Sequence, residues 1–267
     1  MKKLSERESV LMSALRQRGR LSVAEAVELV GISEATARRE FARLEQEGKA
    51  VRNYGGVRLP VPLDNYSFDR YKNVYEVEKR RIGETAAQLV ENGDSIYLDC
   101  GTTVLRMAEA LQRRIVTGDV GSLNIVTNSV VNLDALADSA GCRVILLGGE
   151  YNHERRDFSG PISERCMEMF HFRKCFLGSE GWSEESGFSS NHLGVSSMNT
   201  KAIGRSEKRY VLMDDSKFGK AGLISFAQTE QIDAIITDKR PGDAMLAALE
   251  AQGVDVLIAE EQRGGTV

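Results

Sequence analysis

Four short runs in this chain combine small residues, hydroxyls and charge at the point where an apolar stretch gives way to a helix-like or polar one. They are Asp99-Cys100-Gly101-Thr102-Thr103 after Ser95–Leu98, Asn128-Ser129 after Asn124–Thr127, Gly148-Gly149 after Val144–Leu147, and Asp214-Asp215-Ser216-Lys217 after Val211–Met213. Small residues at a strand-to-helix turn leave backbone N–H groups and hydroxyls available at a helix N-terminus, a seat for phosphate. Each run alone matches an ordinary cap or turn, which uses the same residue types. Together they are expected to converge on one pocket, because ligands of open α/β sheets sit at the carboxyl ends of strands near a switch in strand order. The candidate binding set is Asp99, Gly101, Thr102, Thr103, Asn128, Ser129, Gly148, Gly149, Asp214 and Lys217.

A different chemistry lies near the N-terminus. Ser33-Glu34-Ala35-Thr36-Ala37-Arg38-Arg39 opens a helix with small hydroxyl residues followed by paired arginines. Small residues at a helix start allow close approach to the major groove, and arginines reach phosphates or guanine edges. Arg52 and Arg58 fall in a hairpin-like stretch that could follow the adjacent backbone. The candidate DNA contacts are Ser33, Thr36, Arg38, Arg39, Arg52 and Tyr54.

Catalysis is less well served. A sugar-phosphate isomerase needs a base placed to move a proton beside a carbonyl. Asp99, Asp214 and Asp215 are carboxylates of the right type, but no spacing fixes one against a substrate carbon, and Lys217 alone supplies binding charge. The expectation is a binding protein and no enzyme. Cys100, Cys142, Cys166 and Cys175, with His153, His171 and His192, show no close ligand spacing. No metal or cofactor is expected, and the thiols read as buried and reduced.

These residues need two scaffolds. Ser5–Glu8 and Ser22–Glu25 read as capping boxes, each followed by apolar residues at helical spacing. Gly19, Gly31 and Gly48 stop the three successive helices, and Ser33 caps the third, which buries Phe41 and Leu44. The stretch from Lys49 to Leu59 reads as a hairpin around Gly55-Gly56. Three helices and a hairpin make a winged helix-turn-helix. Pro60-Val61-Pro62 begins a linker. A helix over 74–90 either connects the domains or forms the first layer of the second.

From Asp94 onward, strands at 95–98, 124–127, 143–147, 174–177, 209–213, 234–237 and 255–258 alternate with helices at 103–113, 129–137 and 162–170. That alternation predicts an α/β domain. The run His153–Phe158 could line the pocket mouth, but is read as a solvated charge run. The expected boundaries are 1–59 for the winged helix-turn-helix, 60–73 for the linker and 74–267 for the α/β domain.

The composition agrees. With 267 residues, 42% hydrophobic and 28% charged, the chain suits two globular domains. Residues 1–60 hold twelve Lys and Arg against eight Glu, whereas the whole chain is net −4. A basic head on an acidic body suits nucleic-acid binding by the head. No apolar run approaches the roughly 18–20 residues that span a bilayer, and no apolar segment follows Met1-Lys2-Lys3. A cytoplasmic protein without membrane contact is expected.

From Glu6 to Gly56 the chain resembles the N-terminal domain of the DeoR family of bacterial regulators. The matching residues are Glu6-Arg7, Gly19-Arg20-Leu21-Ser22-Val23, Ser33-x-x-Thr36-x-Arg38-Arg39, Leu44-Glu45-x-x-Gly48 and Arg52-x-x-Gly55-Gly56. The remainder resembles that family's sensor domain through Asp99-x-Gly101-Thr102-Thr103, Thr127-Asn128-Ser129, Leu147-Gly148-Gly149, Phe176-x-Gly178-x-x-Gly181, Asp214-x-x-Lys217-Phe218-Gly219 and Thr237-Asp238. Glu40-Phe41 stands where the family usually has Asp-Leu, and Tyr54 where many members carry His. The Glu that members commonly carry before the helix near Ala202 is missing from Leu193–Asn199.

The resemblance implies a ribose-5-phosphate isomerase-like fold for the effector domain. It also implies that Gly101, Thr102 and Thr103 hold an effector phosphate, Asn128 and Ser129 meet polar groups, and Lys217 supplies a positive charge. The function implied is a repressor of a carbohydrate-utilisation operon, relieved by a phosphorylated sugar. Double-stranded operator DNA and a small-molecule effector are the expected partners. Two-fold half-sites call for a homodimer or homotetramer. A constitutive architectural DNA binder fits poorly with so large a second domain.

Overall fold

The computed structural model describes residues 4–18, 20–47, 49–53, 55–58 and 66–259. Tyr54, the helix stops Gly19 and Gly48, and Pro60-Val61-Pro62 lie outside the described residues. The chain divides into two compact units, Met1–Glu76 and Val77–Val267.

In the first unit, α1 (Leu4–Arg18) is followed by β1 (Arg20–Ser22), α2 (Val23–Val30), α3 (Glu34–Gln46), β2 (Val51–Asn53) and β3 (Gly56–Arg58). The side chains of Ser5 and Glu6, in the capping box expected at Ser5–Glu8, lie outside the described residues. Ser22 does close a capping box: its hydroxyl accepts from Glu25 N–H at 3.2 Å, and the Glu25 carboxylate accepts from Ser22 N–H at 2.8 Å. Gly31 ends α2 at φ +66°, ψ +44°, a left-handed conformation that glycine adopts without a Cβ penalty.

On α3, Ala37, Phe41 and Leu44 recur at helical spacing and are buried against Leu11, Leu15, Leu21 and Ala26. Full burial of a side chain such as Phe41 is worth about 1.5–3 kcal/mol. The buried Glu40 pairs with Arg43 at 3.0 Å, and Arg43 reaches Glu8 at 2.9 Å, tying α3 to α1. The hairpin strands gain β1 as a third member, in the antiparallel order β1-β3-β2 with Leu21 opposite Val57. Sequence reading missed β1, because three residues between a helix and a cap show no alternation; pairing with β3 makes them a strand. The short α4 (Phe68–Tyr71) follows.

The second unit runs through α5 (Glu76–Gln88), β4 (Ser95–Leu98), α6 (Thr102–Val116), β5 (Asn124–Thr127), α7 (Val130–Ala135), β6 (Arg143–Leu146), β7 (Glu150–Asn152) and β8 (Asp157–Ser159). It continues with α8 (Pro161–Glu168), β9 (Phe172–Gly178), β10 (Gly181–Ser183), β11 (Gly187–Ser190), α9 (Leu193–Gly204) and β12 (Ser206–Leu212). It ends with β13 (Ile224–Ala227), β14 (Ala234–Thr237), α10 (Asp243–Ala251) and β15 (Asp255–Ile258). All seven strands expected from the sequence form one parallel sheet, ordered β15-β14-β12-β9-β4-β5-β6.

Alternation sends Ile96, Leu98, Ile125 and Phe176 to the face covered by α5 and α6. Tyr97, Val126, Cys175 and Leu177 go to the face covered by α8, α9 and α10. Among the described residues no helix is long and apolar enough to cross a membrane.

The strand order fixes where a ligand can sit. From β4 the chain moves outward through β5 and β6, then returns to the other side of β4 for β9, β12, β14 and β15. The switch point is therefore the carboxyl end of the β4–β9 pair.

Candidate nucleic-acid interface and effector site

Ser33 accepts from Thr36 N–H at 3.3 Å, and the two hydroxyls lie 2.9 Å apart, so both define the first turn of α3. Arg38 and Arg39 lie on the exposed side, opposite Ala37 and Phe41. Arg38 pairs with Glu34 at 3.6 Å across one turn, both side chains being more than half exposed. A pair this exposed is weak and gives way readily to a phosphate. Arg52 on β2 is half-exposed and lies 3.9 Å from Glu45, whose carboxylate also accepts from Arg52 N–H at 2.9 Å. Gly31 allows the tight turn that sets α3 after α2, giving the helix-turn-helix geometry in which the second helix enters the groove.

At the switch point, Asp99 is buried and accepts from Gly178 N–H at 2.9 Å, joining the ends of β4 and β9. Burial raises its pKa, while the Gly178 and Cys100 N–H groups and the charge of Arg155 pull it down. Gly101 precedes α6 without a side-chain cap, and Thr102 and Thr103, 8% and 7% exposed, form the first turn. A fifteen-residue helix thus begins with its leading N–H groups uncapped by any side chain, beside the strand-order reversal.

The structure redistributes the other expected contacts. The Asn128 carboxamide accepts from the Tyr97 hydroxyl at 2.9 Å and donates to Phe158 O at 2.8 Å. The Ser129 hydroxyl caps α7 by accepting from Asn132 N–H at 3.4 Å. Both residues are buried, and these bonds tie the end of β5 to its neighbours.

Gly148 and Gly149 follow β6, the edge strand, while Asp214 and Lys217 follow β12, four strand spacings away. At about 4.8 Å per strand the two strands are roughly 19 Å apart. Packing explains the glycine pair: Gly148 O accepts from the Ser163 hydroxyl at 2.8 Å, and a Cβ on Gly149 would strike Ser163 and Ser159. Asp214 caps the turn after β12 by accepting from Ser216 N–H at 3.1 Å, with half-buried Lys217 two residues beyond Asp215.

Sequence reading misjudged the run His153–Phe158. It forms the turn of a hairpin, β7–β8, that folds back over the end of β5 through Phe158 N–H to Asn128 O and Val130 N–H to Arg156 O. His153, Glu154 and Arg156 are exposed, but Arg155 is 5% exposed and Asp157 is fully buried, so only half of the run is solvated. Arg155 reaches Asp157 at 3.3 Å and Glu180 at 3.7 Å. Burial, together with the charges of Asp157 and Asp99, drives the free Cys100 thiol well above its usual range.

His192, at the start of α9, lies 3.3 Å from Asn152, and its pKa is lowered by burial and by Arg155. A cleft of about 640 Å³ with a mixed lining opens here, bordered by Glu150, Tyr151, Asn152, Glu164, His192 and Leu193. On α9 itself, buried Ser196 and Asn199 occupy the stretch without a Glu; Asn199 donates to Gly178 O at 3.4 Å.

Residues 75–239 match the family model described as the DeoR C terminal sensor domain, and residues 7–62 that of the DeoR-like helix-turn-helix domain. The chain is 32% identical to the HTH-type transcriptional repressor GlcR of Bacillus subtilis (strain 168), over 97% of this chain and 98% of that protein. It is 30% identical to a putative aga operon transcriptional repressor of Escherichia coli O157:H7, covering 96% and 94% of the two chains. It is 33% identical to the lactose phosphotransferase system repressor of Streptococcus mutans, covering 90% and 94%. Among solved structures, ribose 5-phosphate isomerase A from Methanocaldococcus jannaschii is similar at 16% identity and a TM-score of 0.41, over 54% of this chain and 55% of that one. A likeness so slight carries nothing about chemistry.

Proposed function

Because the chain belongs to the DeoR family of transcriptional regulators, we propose that it represses a carbohydrate-utilisation operon and releases its operator when a phosphorylated sugar binds. The observation that carries this reading is the first turn of α6, where uncapped N–H groups, Thr102 and Thr103 adjoin the strand-order reversal of the sheet. An anion is the ligand such a turn favours. The relatives named as repressors of the aga operon and of a lactose phosphotransferase system support a carbohydrate theme.

In this reading, residues 1–59 form the DNA-binding head, 60–73 the linker and 74–267 the sensor. Ser33 and Thr36 set the start of α3, Arg38 and Arg39 contact the major groove, and Arg52 and Tyr54 the flanking backbone. Gly101, Thr102 and Thr103 seat the phosphate and Lys217 neutralises it. Asp99, Asn128, Ser129, Gly148, Gly149 and Asp214 shape the surrounding loops. The protein acts in the cytoplasm as a homodimer or homotetramer, since symmetric half-sites demand paired heads.

It works as a regulator and not as an enzyme. Asp99 is tied to Gly178 through Oδ2, Asp214 to Ser216, and Asp215 lies 3.3 Å from Lys239, so one oxygen of each carboxylate already has a structural partner. Measurable interconversion of aldose and ketose phosphates would overturn this.

The direct test selects an operator duplex from random sequence. It then screens sugar phosphates for thermal stabilisation of the protein and for release of that duplex. A compound that does both identifies the effector by mass action. A full panel that does neither refutes the sugar-phosphate reading.

A further inference from the structure

The apolar stripe of α5 contains one lysine. Lys79, Ile82, Gly83 and Ala86 recur at helical spacing and are all buried, Lys79 being 5% exposed. Successive residues of α5 meet successive residues of α6. Gly83 lies against Arg106 and Met107, where an added Cβ would come within 2.5 Å of the α6 backbone. Further along, Glu84 pairs with Arg113 at 3.0 Å, and Arg114 donates to the carbonyls of Ala87 and Val90. One turn before Gly83, Lys79 is therefore level with the first turn of α6, at Thr102 and Thr103.

Asp214 and Lys217, on the loop after β12, act electrostatically on Lys79, as does Arg106. Burial lowers its pKa to about 7; Lys217 and Arg106 push the same way, against Asp214 and Glu78. Of these groups, Arg106 is held by Glu109 at 3.0 Å, and Asp214 caps Ser216. A buried ammonium in such company is stabilised when an anion joins it.

We propose that Lys79 is a further cationic contact to the effector's phosphoryl group, alongside the α6 N-terminus and Lys217, so that occupancy is registered on α5. That helix begins at Glu76, where the chain divides into its two compact units, so a phosphate drawn against Lys79 acts on the first helix beyond the head. The inference rests on the effector reading above and adds to it a residue and a route of transmission.

The test uses the full-length wild type, Lys79→Gln, Lys79→Arg and Lys217→Ala, each titrated calorimetrically with inorganic phosphate, glucose 6-phosphate and glucose. Expected is phosphate-dependent binding weakened about tenfold in Lys79→Gln and Lys217→Ala, retained within about threefold in Lys79→Arg, and no comparable response to glucose. Unchanged affinity in Lys79→Gln, with loss in Lys217→Ala, overturns the Lys79 assignment and leaves the effector site standing. A wild type that binds neither phosphate nor glucose 6-phosphate overturns both.

Two measurements on the wild type need no variant to fold. Saturating phosphate should raise the titration midpoint of the Lys79 ammonium, followed by lysine-selective NMR, by about one pH unit. It should also slow hydrogen exchange of the α5 amides. An unmoved midpoint removes the contact, and unaltered α5 exchange removes the transmission.

Discussion

The carboxylate of Asp99 accepts a hydrogen bond from the backbone N–H of Gly178 at 2.9 Å, clasping β4 to β9 where the sheet reverses its strand order. Asp99→Ala leaves that N–H without its acceptor and should cost about 1–3 kcal/mol in urea denaturation. Asp99→Asn keeps an acceptor and should cost less. The pH dependence has a definite sign. Burial raises the folded pKa of Asp99 above the unfolded value of about 4, so the folded state binds the proton more tightly. Its contribution favours folding at low pH and is lost as pH rises from the unfolded value through the folded one. The stability of Asp99→Asn relative to wild type should therefore improve as pH rises from about 4 towards neutrality; a flat difference contradicts the assignment.

Arg38→Ala and Arg39→Ala should each weaken binding to the selected operator, measured by fluorescence anisotropy over a range of salt. A side chain that touches phosphate lowers the salt slope by about one unit, whereas one that reads a base costs about 1–3 kcal/mol and relaxes sequence preference at one position. Ser33→Ala, which removes the α3 cap, should lower head stability by about 1 kcal/mol. Full affinity in the Arg38→Ala, Arg39→Ala double variant would place the recognition surface elsewhere.

Gly83→Ala should force α5 away from α6, because the new methyl meets backbone atoms of Arg106 and Met107. Overpacking of this kind costs about 1–3 kcal/mol. The loss should appear in the sensor's unfolding transition, with the head's transition unmoved. A neutral effect would mean that the two helices are not in close contact.

Arg155→Met removes the cation that faces buried Asp157 and partly buried Glu180. Stranding a buried carboxylate costs about 3–5 kcal/mol, and Arg155→Met combined with Asp157→Asn should recover much of that loss. Chemical denaturation of the two variants decides the matter: equal instability would show that Arg155 acts through packing and not through charge.

Much of this protein is written in local sequence. The capping box at Ser22–Glu25, the left-handed stop at Gly31 and the Ser33 cap each depend on residues within a few positions of one another. The seven parallel strands were legible for the same reason: each buried strand is a short apolar run closed by a turn, and its partners merely order it. The uncapped turn at Gly101-Thr102-Thr103 was legible because a strand end and a helix start adjoin there.

What only the tertiary structure decided is which of these turns meet. Sheet order puts Gly148-Gly149 on the far edge and brings Asp99 to Gly178, seventy-nine residues away in the chain. Hairpin folding turns Arg155 and Asp157 from an apparent surface run into a buried pair, because charge spacing along the chain says nothing about what later packs over it. Lys79 had a sequence signal, a charge on an apolar stripe, but the charges of Asp214 and Lys217 that act on it come from a loop more than 130 residues further on. Local energetics choose the elements; long-range packing chooses the company each side chain keeps.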